Sequence, residues 1–135
     1  MNLRSLRIIT EDINRLVGFY EKVTGLTAKW HTEDFAEIGT ASSNLAIGST
    51  KTLALFGENI AEPSSNKSVI IEFLVNNVDD SYELVKNTTE DILQQPITMP
   101  WGNRSTLFRD PDGNLINFFA PVTPEAVKRF GTSNN

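Results

Sequence analysis

The sequence contains no cysteine, which excludes a disulfide framework, a thiolate metal site and a cysteine nucleophile, and fits a reducing compartment. It has a single histidine, His31. No serine–histidine–carboxylate set with supporting spacing can be built around it, and no glycine loop suited to cradling phosphate is present. Positive charge is scarce: 12 Lys and Arg face 17 Asp and Glu, a formal charge of −5. The basic residues late in the chain, Arg104, Arg109, Lys128 and Arg129, are interleaved with Asp110, Asp112 and Glu125. That pattern reads as a solvated surface and argues against a nucleic-acid partner. No apolar run approaches the roughly 18 residues of a membrane-spanning helix. The first residues, Met1 to Arg7, enter a strand-like run with no leader pattern. Composition therefore predicts a cytoplasmic protein with neither a nucleic-acid nor a membrane partner.

What is present suits one globular domain: 135 residues, 39% of them hydrophobic, enough to bury one core. Ser5 to Thr10 is rich in β-branched and apolar residues and predicts a strand. A helix follows, with Thr10 or Asp12 as cap, Ile13, Leu16, Val17 and Tyr20 at helical spacing, and Gly25 as its stop. Three short strands are predicted next, over Thr27–His31, Phe35–Gly39 and Thr52–Phe56, with Ala41–Thr50 turn-rich. Glu62 to Asn66 has linker composition. The order then repeats: strand Ser68–Val75, helix Val78–Asn87 with Tyr82, Leu84 and Val85 on its apolar side, and strands Ile92–Thr98, Ser105–Arg109 and Leu115–Phe119. Asp110-Pro111-Asp112-Gly113 suits a type I turn. A closing helix is expected from about 123 to a stop at Gly131. Each half thus reads strand, helix, then about three strands, and neither easily closes a core alone.

At this point the chain resembles the vicinal-oxygen-chelate group, the glyoxalase/bleomycin resistance protein/dioxygenase superfamily. The resemblance rests on Asp12-Ile13-Asn14-Arg15-Leu16-Val17-Gly18-Phe19-Tyr20 with Gly25-Leu26, and on Phe73 to Asp79. It rests most on Pro100-Trp101-Gly102-Asn103-Arg104 running into Asp110-Pro111-Asp112-Gly113-Asn114-Leu115, which is closest to the metal-free bleomycin-resistance-like branch. It implies an α+β fold in which two βαβββ modules form a curved mixed sheet around a cleft. Residues 1–135 would be one such domain, with module one about 1–60, module two about 66–122, and the short helix about 123–131. It also implies a homodimer whose modules pair within a chain or swap between chains.

Metal-dependent members of the group carry ligands at positions that fall here on Ser5, Ile70 and Asn117. A catalytic transition metal needs about three protein donors, generally His nitrogens and carboxylates, which these residues do not supply. No metal and no cofactor is therefore expected. A displaced site would have to draw on His31 with Glu37, Glu58 or Glu72.

Alternation along strands puts Arg7 on the face of Ser5 and Glu72 on the face of Ile70. Arg7 and Glu72 would then face the cleft, either orienting a polar ligand or forming an internal salt bridge. Trp101 offers a flat ring for stacking, or packs in the core or a dimer contact; Phe35, Phe56 and Trp30 form another wall or pack internally. Asn117 completes the list of ligand-binding candidates together with Arg104, which either meets an anion or anchors its loop. The expected function is metal-independent binding or sequestration of a small planar or aromatic compound, resembling antibiotic-resistance binding proteins, with no catalytic residue assigned. The alternative is a metal-dependent lyase, isomerase or dioxygenase with a displaced site. A third reading makes Glu72 a general base through burial.

Overall fold

A computed structural model describes residues 1–130. Two compact units divide it: Met1–Asn66 with Pro111–Gly113, and Lys67–Asp110 with the chain from Asn114 onward. Among the described residues each unit holds one four-stranded mixed sheet, and the protein is α+β. No helix among the described residues is long and apolar enough to cross a membrane.

The first unit runs β1 (Ser5–Thr10), α1 (Ile13–Thr24), β2 (Lys29–Thr32), β3 (Phe35–Gly39) and β4 (Asn44–Ser49), with strand order β1-β4-β3-β2. The Asp12 side chain caps α1 by accepting from Arg15 N, and Gly25 ends it in the left-handed region at φ 73°. Leu16, Val17, Tyr20 and Val23 form its apolar stripe, each at most 2% exposed. That stripe packs on β3 and β4, where Ala36, Ile38 and Ile47 are fully buried.

The sequence expectation fails at one element here. Ala41–Thr50 looked turn-rich yet contains β4, and Thr52–Phe56 looked like a strand yet lies outside the sheet. Small residues caused the first error, since Ala46 and Gly48 hide the alternation that sends Leu45 and Ile47 inward. Local hydrogen bonds explain the second. Ser49 Oγ accepts from Lys51 N, and Thr52 Oγ1 donates to the Ser49 carbonyl at 2.7 Å, winding Thr50–Leu53 into a 3-10 turn. Leu55 and Phe56 beyond it are exposed.

The second unit runs β5 (Ile70–Leu74), α2 (Val78–Lys86), β6 (Ile92–Thr98), β7 (Asn103–Arg109), β8 (Leu115–Pro121) and α3 (Pro124–Phe130), with strand order β5-β8-β7-β6. Asn77 caps α2 through its side chain, and Asp79 and Asp80 occupy the first turn where the helix dipole favours negative charge. Val78 and Val85 are the buried residues of α2. Leu84, expected on the apolar side, is 45% exposed, because its position lies about 100° round the helix from Val85. Phe108 and Phe118 meet edge to face at 4.9 Å in the core of this unit. The Asp110–Asn114 turn is closed by the Asp110 carboxylate, which accepts from Asn114 N and Asn114 Nδ2 at 2.9 and 2.8 Å. The expected Gly131 stop of α3 lies outside the described residues.

Candidate functional site

In the first unit, one face of the sheet is covered by α1 and the other carries most of the chemistry. Register and alternation place Ser5, Arg7 and Ile9 of β1, Asn44, Ala46 and Gly48 of β4, Gly39, Glu37 and Phe35 of β3, and Lys29 of β2 together on the helix-free face. Small residues in the central strand matter here. A side chain at Gly48 would meet Thr52 Oγ1 at 2.8 Å and Phe35 Cδ1 at 3.6 Å, so both side chains border this glycine. The Arg7 guanidinium sits over the Phe35 ring at 4.8 Å and 6.0 Å from the centre of the Phe56 ring. Arg7, Phe35 and Phe56, all candidates from the sequence, are thus brought together.

A second group on this face escaped sequence reasoning in part. The bulge between Trp30 and Thr32 shifts the register of β2 around His31. The His31 ring leans on Phe35 at 5.6 Å, and His31 Nε2 meets Glu37 Oε1 at 2.6 Å. The other Glu37 oxygen accepts from Asn44 Nδ2 at 3.0 Å. Glu37 was read only as one of three carboxylates, with Glu58 and Glu72, that a displaced metal site at His31 would draw on, and Asn44 was missed because its segment did not read as a strand. Trp30 and His31 also line an open groove of about 660 Å³ with Asn14 and Lys51. The Arg7 guanidinium has no ion pair and no hydrogen bond to protein among the described residues.

In the second unit the helix-free face carries Ile70, Glu72 and Leu74 of β5 beside Leu115, Asn117 and Phe119 of β8. Glu72 accepts from Asn117 Nδ2 at 2.8 Å, so these two candidates also meet. Asn117 Oδ1 is removed from solvent and has no hydrogen-bond partner among the described residues. Leaving such an oxygen unsatisfied costs about 1–3 kcal/mol. Glu72 itself is exposed, so the burial on which the general-base reading rested is not found.

The remaining two candidates stand elsewhere. Arg104 pairs in register with Ala120, on the face packed by α2, and its guanidinium forks onto Asp79: Nε donates to Oδ2 at 2.8 Å and Nη2 to Oδ1 at 3.0 Å. That hydrogen-bonded pair holds the Asp79 carboxyl below its usual value of 3.8. Arg104 thus ties β7 to the first turn of α2, and it is not brought together with the other candidates. Trp101 occupies the turn between β6 and β7, 54% exposed, with its carbonyl accepting from Arg129 Nη2 at 3.0 Å. Gly102 follows at φ 93°, and a side chain there would collide with Thr123 and Ala126.

A metal would need donors that these positions do not offer. Ser5 carries a hydroxyl, Ile70 nothing, and Asn117 an amide. The position of β4 that matches Asn117 in β8 is Ala46: Ala46 lies opposite Arg7 as Asn117 lies opposite Glu72. His31 and Glu37 are two donors side by side, yet Asn44 turns an amide N–H toward Glu37, and no group of three or more His, Cys, Asp or Glu that could hold a metal occurs among the described residues. The donor set does not fit an open transition-metal site.

Comparison with known proteins bears on this arrangement. Over 125 aligned positions the chain is 26% identical to the uncharacterized protein YraH of Bacillus subtilis (strain 168), covering 88% of this chain and 98% of that one. A glyoxalase/bleomycin resistance protein/dioxygenase family enzyme from Burkholderia phytofirmans PsJN has a similar structure, with a TM-score of 0.80 at 18% identity over 90% of this chain and all of that one (100%). A glyoxalase/bleomycin resistance protein/dioxygenase from Nocardioides gives a TM-score of 0.73 at 22% identity, covering 92% of this chain and 85% of that one. At these identities the structures speak for the fold alone. Residues 2–118 match the sequence profile of one family, and the chain therefore belongs to the Glyoxalase/Bleomycin resistance protein/Dioxygenase superfamily.

Proposed function

We propose that this protein binds and sequesters a small planar or aromatic compound without a metal, and that the helix-free face of the first sheet carries the binding. The observation behind this reading is Arg7, whose guanidinium stacks against Phe35 and nears Phe56 while its N–H groups meet no protein acceptor among the described residues. An aromatic plane added to that stack gains from ring contact and from the cation. Burying roughly 200–300 Å² of ring surface supplies about 5–7.5 kcal/mol at about 25 cal/mol per Å², before ordering costs are subtracted. Affinities between about millimolar and micromolar follow. Binding alone is the action, with no residue assigned to turnover.

The donor set described above supports metal independence. The test is calorimetric titration of chelator-treated protein with planar aromatic compounds such as acridines, naphthalenes and quinones. Saturable binding that chelation leaves unchanged agrees with the proposal. Binding that appears only when a divalent metal is restored contradicts it.

A homodimer belongs to the same proposal. β1 and β5 lie at the edges of their sheets, with Leu6 and Ile70 exposed, and such edges call for a cover. Sedimentation equilibrium at twice the chain mass would agree, and a monomer at high micromolar concentration would not.

A further inference from the structure

We infer that the ligand of the Arg7 face carries a negative charge, and specifically a planar carboxylate; this rests on the reading of that face as a site for planar compounds. The Arg7 guanidinium carbon lies over the Phe35 ring, 4.8 Å from its centre, and a guanidinium carries its N–H donors at its planar edge. Those edge donors form a fork that fits a carboxylate through two parallel hydrogen bonds. No acceptor of this chain occupies the fork among the described residues.

The reason lies in Glu37. By register it is the one carboxylate among the strand residues of this face, two strands from Arg7 with only the small Ala46 between them. Strands lie about 4.8 Å apart, so two long side chains could span that gap and pair. They do not, because both Glu37 oxygens are engaged, one by His31 at 2.6 Å and the other by Asn44 at 3.0 Å. His31 and Asn44 therefore hold the internal carboxylate away and leave the guanidinium for an external one. Lys29, register partner of Glu37, adds a second cation to the same face.

The formal charge of −5 belongs to the chain as a whole, whereas this face presents two cations and one carboxylate already engaged. Exposed charges more than about 8 Å away are largely screened at physiological ionic strength, so the local cations decide. A neutral planar ligand would strip water from the fork and return no acceptor, while a carboxylate replaces the water with a charge-assisted pair.

The experiment titrates the full chain with 2-naphthoate and with its neutral isostere 2-naphthamide, at low and high salt. The inference expects naphthoate to bind at least tenfold more tightly, with the advantage shrinking as salt rises. In Arg7→Met the advantage disappears while the amide still binds, and Arg7→Lys restores part of it; circular dichroism melts confirm that both variants fold. Equal affinity for the two probes in the unaltered protein overturns the carboxylate inference and leaves the planar-ligand reading standing. Binding of neither probe overturns both. A naphthoate preference that survives in Arg7→Met places anion recognition away from this face and also overturns the inference.

Discussion

Single residues carry the proposed recognition, and their legibility varied with how far away their partners lie. Arg7, Phe35 and Phe56 were named from alternation and type, and they meet in the folded unit. Arg104 was readable as either an anion contact or an anchor, and its partner Asp79 lies 25 residues away, beyond the reach of any spacing rule. The Arg104–Asp79 pair has a consequence in acid. Because Asp79 titrates below its ordinary value of 3.8 in the folded chain, its contribution to stability is complete above that value and is lost as pH falls through the lowered one. Asp79→Asn should therefore give a shallower loss of stability on acidification below about pH 4, read from urea midpoints at stepped pH. The Glu37 cluster yields a second expectation. Freed from His31 in His31→Ala, Glu37 can turn toward Arg7, so the affinity for 2-naphthoate should fall severalfold although His31 need not touch it. An unchanged affinity would mean that Glu37 stays with Asn44.

At the scale of elements, both long helices were legible because their signals are local. Asp12 and Gly25 bound α1, and periodic apolar residues fill its stripe. β4 was illegible for a physical reason: its outward positions hold Ala46 and Gly48, so its pattern lacks the bulky alternation that marks a strand. Gly48 also leaves room for Thr52 Oγ1 and borders Phe35. Asn44 went unread with the strand. Truncating the α1 stripe with Leu16→Ala should cost about 2–5 kcal/mol, since Leu16 is fully buried. At the β6–β7 turn, Gly102→Ala combines a left-handed backbone with a collision against Thr123 and Ala126. It should lower the melting temperature by several degrees, whereas Trp101→Ala, whose ring is more than half exposed, should change it little.

For the whole molecule, two units share one strand order, and one family profile spans residues 2–118 across both. The repeat was legible because each half reads as a strand, a helix and then about three strands, and the Asp110 to Asn114 turn made the second half recognisable. Function is less legible than fold because residues differ between equivalent places. Arg7 corresponds to Glu72 and Ala46 to Asn117, so one sheet presents a cation over rings and the other an amide bound to a carboxylate. The central claim is that planar ligands bind the Arg7 face without metal. Its most direct measurement is amide and side-chain NMR of the chelator-treated, isotope-labelled chain during titration with 2-naphthoate. The account predicts saturable shifts centred on Arg7, Phe35, Phe56 and His31, unaltered when zinc or manganese is excluded. Shifts centred elsewhere, or shifts that require added metal, would contradict it.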